Sequence, residues 1–243
     1  MQNYFTFILI LVVLPVLSFL YFTVEIAQPV DRVFLSISTF LYTIFTGFFI
    51  SRQASRFNKV RETVTRFDGL MSNLYRTSGH VSATLQQEIG IVISAHYKKI
   101  LKTKQWNYHF EHKSTTLSAI HELLEEHIEE KKVTKLSNQA IGAIVKGLGA
   151  AQDVRKTMLA LNRERVPTDQ WVLITFFVVM LIATVSSMAS VGILLPAVLK
   201  AAFVISVLSV MFILYRLNNL AFTEDLMGAE SAQDVLDIIE GAK

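Results

Sequence analysis

One uninterrupted stretch, residues 33–66, joins a membrane-spanning sequence to a basic, polar one. Its first part, residues 33–50, has no charged side chain and, as an α-helix, measures about 27 Å at 1.5 Å per residue. That length is close to the roughly 30 Å hydrocarbon core of a bilayer. Because no proline interrupts the stretch, we predict a membrane helix that continues directly into water.

Beyond Ser51 the same helix is predicted to be amphipathic. Apolar residues recur at spacings of four and three, and basic residues lie together on the exposed flank. The apolar residues are Val60, Val64, Phe67, Met71 and Leu74. The basic residues are Arg52, Arg56, Lys59, Arg61 and Arg66. This pattern is typical of a helix that packs one side into a polar, helical domain.

Three large apolar residues share one stripe of the membrane part. Phe40, Ile44 and Phe48 are four residues apart, with Ser36 one turn before them and Gly47 beside them. If several copies of this helix surround an axis, the stripe becomes a stack of apolar rings. The alternative is that the three side chains face lipid or neighbouring helices, and the spacing leaves both arrangements open.

Composition favours a membrane protein with one polar region. The chain of 243 residues is 52% hydrophobic, with a mean hydropathy of +0.43 and a net formal charge of only +3. It has no cysteine, which excludes disulfides, thiolate metal sites and a cysteine nucleophile. Gly142, Gly147 and Gly149 lie within helical periodicity and form no phosphate-binding loop. We predict no enzyme activity and no cofactor.

Four apolar stretches predict an all-α fold with four transmembrane helices. They are residues 4–24, 33–50, 171–188 and 198–214. A helical cytosolic domain is inserted between the second and the third. The predicted division is 1–51 for the first helix pair, 52–168 for the cytosolic domain, 169–214 for the second helix pair and 215–243 for a cytosolic tail.

The distribution of charge sets the predicted orientation. Residues 52–168 hold 19 of the 23 Lys and Arg but only 11 of the 20 Asp and Glu. Basic residues near the ends of membrane helices mark the cytoplasmic side. We therefore place this region in the cytoplasm and, with four crossings, both termini as well.

Helical periodicity continues through the polar region. Residues 81–100, 117–128 (capped by Ser114) and 136–161 place apolar side chains at every third or fourth position. The last of these helices ends before Val166-Pro167, because the residue before a proline avoids the helical region. In the acidic tail, Val235, Leu236, Ile238 and Ile239 predict a short amphipathic helix that docks on a neighbour.

Two clusters of polar residues suggest other possible functions, namely binding of a metal and binding of nucleic acid or anionic lipid. His109, His112, His121 and His127 could bind a metal, but their spacing is not HExxH, and we favour a solvated loop between residues 106 and 113 and no metal site. Lys98, Lys99, Lys102 and Lys104, followed by Trp106, could bind nucleic acid or anionic lipid. We favour a solvated face here and predict no nucleic-acid partner.

Lys200 lies near the start of the fourth apolar stretch. Long basic side chains close to the end of a membrane helix commonly extend to the interface. We expect Lys200 to reach the outer interface in this way.

The order of these elements resembles the bestrophins, which have two spans, a helical cytosolic block, two further spans and a cytosolic tail. The stretch FTGFFISRQASRFNKVRETVTRFDGL is similar to the bestrophin second helix, in which a Gly-Phe pair ends the pore neck before a basic extension. LYRTSG and HYKKILKTKQWNYHF resemble a bacterial bestrophin-like family. By this resemblance Phe40, Ile44 and Phe48 form the neck, and Val166, before Pro167, forms a cytosolic aperture.

The resemblance implies a homopentameric channel for anions such as chloride, surrounded by lipid in a bacterial inner membrane. The segment NNLAFTEDLMG departs from it, since it lacks the proline and the acidic run of the bestrophin calcium clasp. An alternative is a non-conducting membrane scaffold or signalling adaptor that acts through its cytosolic helices. A proton-driven stator would need an intramembrane carboxylate, and none of the four apolar stretches contains Asp or Glu.

Overall fold

The computed structural model describes residues 2–24, 32–103, 115–130, 135–188, 191–220 and 229–241. In that part of the chain the all-α class is confirmed, since every regular element is a helix. The helices are α1 (Gln2–Thr23), α2 (Arg32–Ser78), α3 (Ala83–Thr103), α4 (Thr116–Glu130), α5 (Lys135–Arg163), α6 (Thr168–Ser186), α7 (Leu194–Asn218) and α8 (Ala229–Glu240).

Three helical stretches in the described part are long and apolar enough to cross a membrane, judged by length and composition. They are Val33–Ser78, Leu136–Ser186 and Leu194–Asn218. A shorter apolar stretch, Val12–Thr23, lies in α1. These helices identify the chain as a membrane protein.

The chain divides into two compact units. The first, which we call the membrane unit, comprises Met1–Ala54 and Arg165–Asn219. The second, which we call the charged unit because it holds most of the charged residues, comprises Ser55–Glu164 and Leu220–Lys243. The unbroken helix α2 contributes to both units. The four-part division expected from the sequence stays a prediction.

In the membrane unit, one face of α2 packs against α6 and α7. The Tyr42 hydroxyl donates a hydrogen bond to the Val207 carbonyl at 3.0 Å. The ring of Phe45 stacks on that of Phe177, with 5.5 Å between centroids. Phe49 is buried in the same cluster. The side of α2 that faces its own unit is therefore fixed by both aromatic packing and a buried hydroxyl.

Lys200 is held by partners within its own chain. Its residue is only 7% exposed, and its ammonium group donates to the carbonyl of Met188 and lies 5.4 Å from the centre of the Tyr21 ring. A carbonyl beyond the end of α6 and an aromatic face together provide partners for the cation. Met188 lies between α6 and α7 at the ends of two apolar helices, and the prediction that this side chain extends to the outer interface stays a prediction.

The apolar periodicity of the charged unit is confirmed in its core. The five apolar residues of α2 from Val60 to Leu74 are all buried, as are Leu85, Ile89, Ile93, Tyr97 and Ile100 of α3. Fully burying such side chains stabilises a fold by about 1.5–3 kcal/mol each. Three positions differ, because Val81 precedes α3, and Ile128 in α4 and Leu136 at the start of α5 are exposed.

Arg56 also differs from the sequence-based expectation. Its residue is 3% exposed, whereas the periodicity places it on the exposed basic flank of α2. Its Nε donates to the carbonyl of Leu161 at 2.6 Å, and a terminal nitrogen donates to that of Asn162 at 3.0 Å. The last carbonyls of a helix lack intrahelical partners, and a cation at this end also suits the helix dipole. Arg56 is buried because it caps α5.

The amphipathic tail helix is confirmed as α8. It buries Ala232, Val235 and Leu236 in the core of the charged unit. The Tyr75 hydroxyl donates to the carbonyl of Ile239 at 3.2 Å. A Cβ at Gly90 of α3 would lie 3.0 Å from the Tyr75 ring and 3.4 Å from the Ile239 side chain, so a glycine allows this close approach.

The helix break at Val166-Pro167 is confirmed, since α5 ends at Arg163 and α6 begins at Thr168. The predicted loop at 106–113, the Ser114 cap, Lys104, Trp106, His109 and His112 lie outside the described residues. Residues 221–228 of the NNLAFTEDLMG segment lie outside them as well.

Candidate functional site

The three residues of the expected neck lie on the face of α2 that its own chain leaves uncovered. Phe40, Ile44 and Phe48 are 64%, 50% and 61% exposed. The opposite face is buried and carries Ser38, Tyr42, Thr46 and Phe49. The three apolar side chains are thus available to a second copy, to lipid or to a water-filled path. Their arrangement as rings around an axis stays a prediction.

The uncovered face continues along α2 into the charged unit. Exposed residues recur after Phe48 at spacings of three or four, which keeps them on one helical face. They are Ser51, Ser55, Asn58, Glu62, Arg66, Gly69, Asn73 and Arg76. A Cβ built at Gly47 or at Gly69 would meet nothing within 4 Å. We call this face, from Phe40 to Arg76, the outer stripe of α2.

Val166, the expected aperture residue, occupies a different part of the membrane unit, just before α6. Its residue is 7% exposed, and its N–H donates to Oδ1 of Asn218 at 2.7 Å. Pro167 follows with φ −59° and ψ 153°, outside the helical region. The backbone at Val166 is therefore held by the end of α7. Whether this side chain lines an aperture stays a prediction.

Asn218 was not singled out from the sequence. It ends α7 and is buried, and its bond to Val166 crosses 52 positions of chain. A polar residue at the end of an apolar span is common, so nothing local distinguishes it. Only the placement of the α7 end beside the Val166-Pro167 corner reveals its role.

A buried carboxylate in the charged unit was also missed. Asp68 of α2 accepts a hydrogen bond from the Tyr97 hydroxyl at 2.6 Å and another from the Ser231 hydroxyl. Burial raises the pKa of Asp68, and the two hydrogen bonds oppose that rise. Burial and the neighbouring carboxylate raise the pKa of Tyr97 well above its usual value, so it stays a proton donor. The cluster joins α2, α3 and α8.

Three of the four described histidines form pairwise side-chain contacts. Nε2 of His127 lies 2.6 Å from the Ser82 hydroxyl, and Nδ1 of His96 lies 2.9 Å from that of Thr116. His121 pairs with Glu125 on the surface of α4 at 3.3 Å. Within the described ranges no three metal-binding side chains come together. The absence of a metal stays a prediction, because His109 and His112 lie outside those ranges.

Comparison with protein families supplies an independent result. A family model described as Bestrophin-like domain matches residues 5–221. This range includes α2 to α7 and all of α1 except its first residues. No curated protein and no solved structure matches the chain. The match covers α2 with its outer stripe, and it covers the helix break at Val166-Pro167. The chain therefore belongs to the bestrophin-like family.

Proposed function

We propose that copies of this chain form a ring, pentameric by analogy with bestrophins, that conducts ions, with anions as the permeant class. Each copy crosses a bacterial inner membrane four times and keeps both termini in the cytoplasm. The observation that carries the proposal is the uncovered apolar stripe of Phe40, Ile44 and Phe48 on a helix whose opposite face is already packed. Turned toward a shared axis, this stripe forms the neck of the pore.

The outer stripe differs from an ordinary lipid-facing surface. Beside its large apolar residues, the membrane part of α2 exposes Thr43 and Gly47, and Ser36 is exposed one turn before Phe40. Small and hydroxyl residues in membrane helices mark contacts with other helices or with water more than contacts with lipid tails. This composition supports a position at the centre of an assembly.

An apolar neck suits passage of ions without chemistry. A hydrophobic constriction conducts while it is wide enough to stay wet, and it closes by dewetting when it narrows. No bond is made or broken in this process. The proposal therefore assigns no catalytic residue and requires no cofactor.

The aperture proposal for Val166 rests on the fixed backbone at that corner. The bond from its N–H to Asn218 holds the start of α6 against the end of α7. One small aliphatic side chain per copy would then set which partly hydrated anions pass. Under this proposal Val166→Ala changes the relative permeability among anions of different size. Unchanged permeability ratios in conducting Val166→Ala and Val166→Phe channels would contradict the aperture.

The neck is tested by flux through the full-length protein in liposomes. The test variant replaces Phe40, Ile44 and Phe48 with Ala. The matched control replaces Val172, Phe176 and Val179, which are exposed to a similar degree on α6. We expect the neck variant to raise anion flux severalfold, because a wider neck stays wet, and the control to leave flux unchanged.

Particle images of the purified protein test the ring itself. Ring symmetry with anion flux supports the proposal in full. A ring that assembles without flux would instead favour the non-conducting scaffold. Equal fluxes through the neck variant, the control and the wild type would show that the path lies elsewhere.

A further inference from the structure

The outer stripe of α2 changes character where the neck ends. In the membrane part it carries Phe40, Ile44 and Phe48, and further on it carries Glu62, Arg66 and Arg76. All six are exposed and lie on one face of a single unbroken helix. The surface that we assign to the neck therefore continues without a break as a charged surface.

No salt bridge neutralises the charges of this surface within the part of the chain that the structure describes. Among the described residues, Glu62, Arg66 and Arg76 form no salt bridge, and neither does Lys59, exposed at the edge of the stripe. Elsewhere in the charged unit, Lys98 pairs with Glu240 at 3.2 Å and Lys156 with Asp153 at 3.6 Å. The stripe thus presents two arginines and one carboxylate, with the ammonium group of Lys59 at its edge.

We infer that this charged part of the outer stripe lines the ion path beyond the neck and sets its preference for anions. This inference rests on the proposed channel function. Arg66 and Arg76, supported by Lys59, attract anions to the path, and Glu62 opposes them. The neck then selects ions by its width and wetting, whereas the charged part of α2 selects them by the sign of their charge.

The physical basis is the local concentration of counter-ions. A path lined by one sign of charge raises the concentration of the opposite ion, and symmetry multiplies each side chain into a ring. These fields are screened over about 8 Å at physiological ionic strength and over about 3 Å at 1 M salt. The selectivity that they confer must therefore weaken as the salt concentration rises.

The test measures reversal potentials of the full-length protein in lipid bilayers under a potassium chloride gradient. The first variant combines Arg66→Gln with Arg76→Gln, and the second is Glu62→Gln. The matched control is Arg61→Gln, an exposed arginine on the same helix but off the stripe. All of these positions are exposed, so the substitutions leave the packed faces of α2 intact.

We expect the double variant to lower the permeability ratio of chloride to potassium severalfold and Glu62→Gln to raise it. Arg61→Gln leaves the ratio unchanged, and the two shifts shrink at high salt. If the wild type conducts and neither variant alters the ratio, the inference is overturned while the channel function stands. If the wild type forms rings without conducting, the proposed function falls, and this inference falls with it.

Discussion

The two halves of α2 both bury apolar side chains, but they expose different kinds of surface. In the membrane unit the buried face includes the hydroxyls of Tyr42 and Thr46, and the outer stripe is dominated by Phe40, Ile44 and Phe48. In the charged unit the buried face is Val60, Val64, Phe67, Met71 and Leu74, and the outer stripe is polar. The exposed side of the same helix is therefore apolar in one half and polar in the other.

This difference matches the solvents of the two halves, which are the bilayer for the membrane half and water for the charged half. Water drives apolar side chains to the inside, because burying them removes apolar surface from water. A bilayer gives no such drive, so packing and hydrogen bonds hold helices together there. Truncating a buried apolar side chain of the charged unit should then lower stability strongly. Truncating an exposed apolar side chain of the outer stripe should have little effect on stability.

The largest expected effect comes from truncating the apolar core of the charged half. Met71 is fully buried, and Met71→Ala should lower the free energy of unfolding by about 2–5 kcal/mol. Thermal unfolding of the full chain in detergent measures this loss. Phe40→Ala is the counterpart in the membrane half and should change the free energy by about 0.5 kcal/mol or less, as at other exposed sites. Equal losses at the two sites would contradict the comparison.

A smaller effect is expected where the charged half buries a cation. Arg56→Met keeps much of the side-chain volume but leaves the carbonyls of Leu161 and Asn162 without this donor. Hydrogen bonds from charged groups contribute about 1.5–3 kcal/mol, so the unfolding temperature should fall. Arg61→Met on the exposed side of the same helix is the control. A fall no larger than that of the control would show that the cap contributes nothing.

The smallest expected effect on stability is that of Asp68→Asn, and it depends on pH. Because the pKa of Asp68 is raised in the folded chain, its stabilising contribution is complete below the unfolded pKa of about 3.9. That contribution is lost as pH rises through the folded pKa. Asp68→Asn has no such titration, so its unfolding temperature relative to the wild type should increase with pH.

The control for this titration is Asp153→Asn, since Asp153 is exposed and pairs only loosely with Lys156 at 3.6 Å. The change with pH expected for Asp68→Asn should exceed that of this control. A flat profile for Asp68→Asn would show that the buried carboxylate does not titrate as the structure implies.

The helices and the packed faces follow from sequence periodicity. The spacing of Val60, Val64, Phe67, Met71 and Leu74 identifies a buried side without knowledge of what covers it, because water imposes the same pattern on any amphipathic helix. The helix break before Pro167 follows as directly, because a proline constrains its own backbone and that of its neighbour.

The polar contacts do not follow from sequence in this way. Arg56 has the same local pattern as Arg52 and Lys59, and only the end of α5, about a hundred residues away, selects it for burial. Asp68, Lys200 and Asn218 likewise depend on distant partners. The neck is harder still to predict from one sequence, because in the proposed ring the partner of Phe40, Ile44 and Phe48 is another copy of the chain.

The unbroken helix α2 has one further consequence, for insertions and deletions. Each residue added to an α-helix rotates everything after it by about 100°, and only about 18 residues complete five whole turns. One residue inserted between Phe48 and Ser55 would rotate the exposed residues of one half of α2 by about 100° about the helix axis relative to those of the other half. The outer stripe stays on one side of the 47-residue helix α2 only while the number of residues between its two halves is preserved.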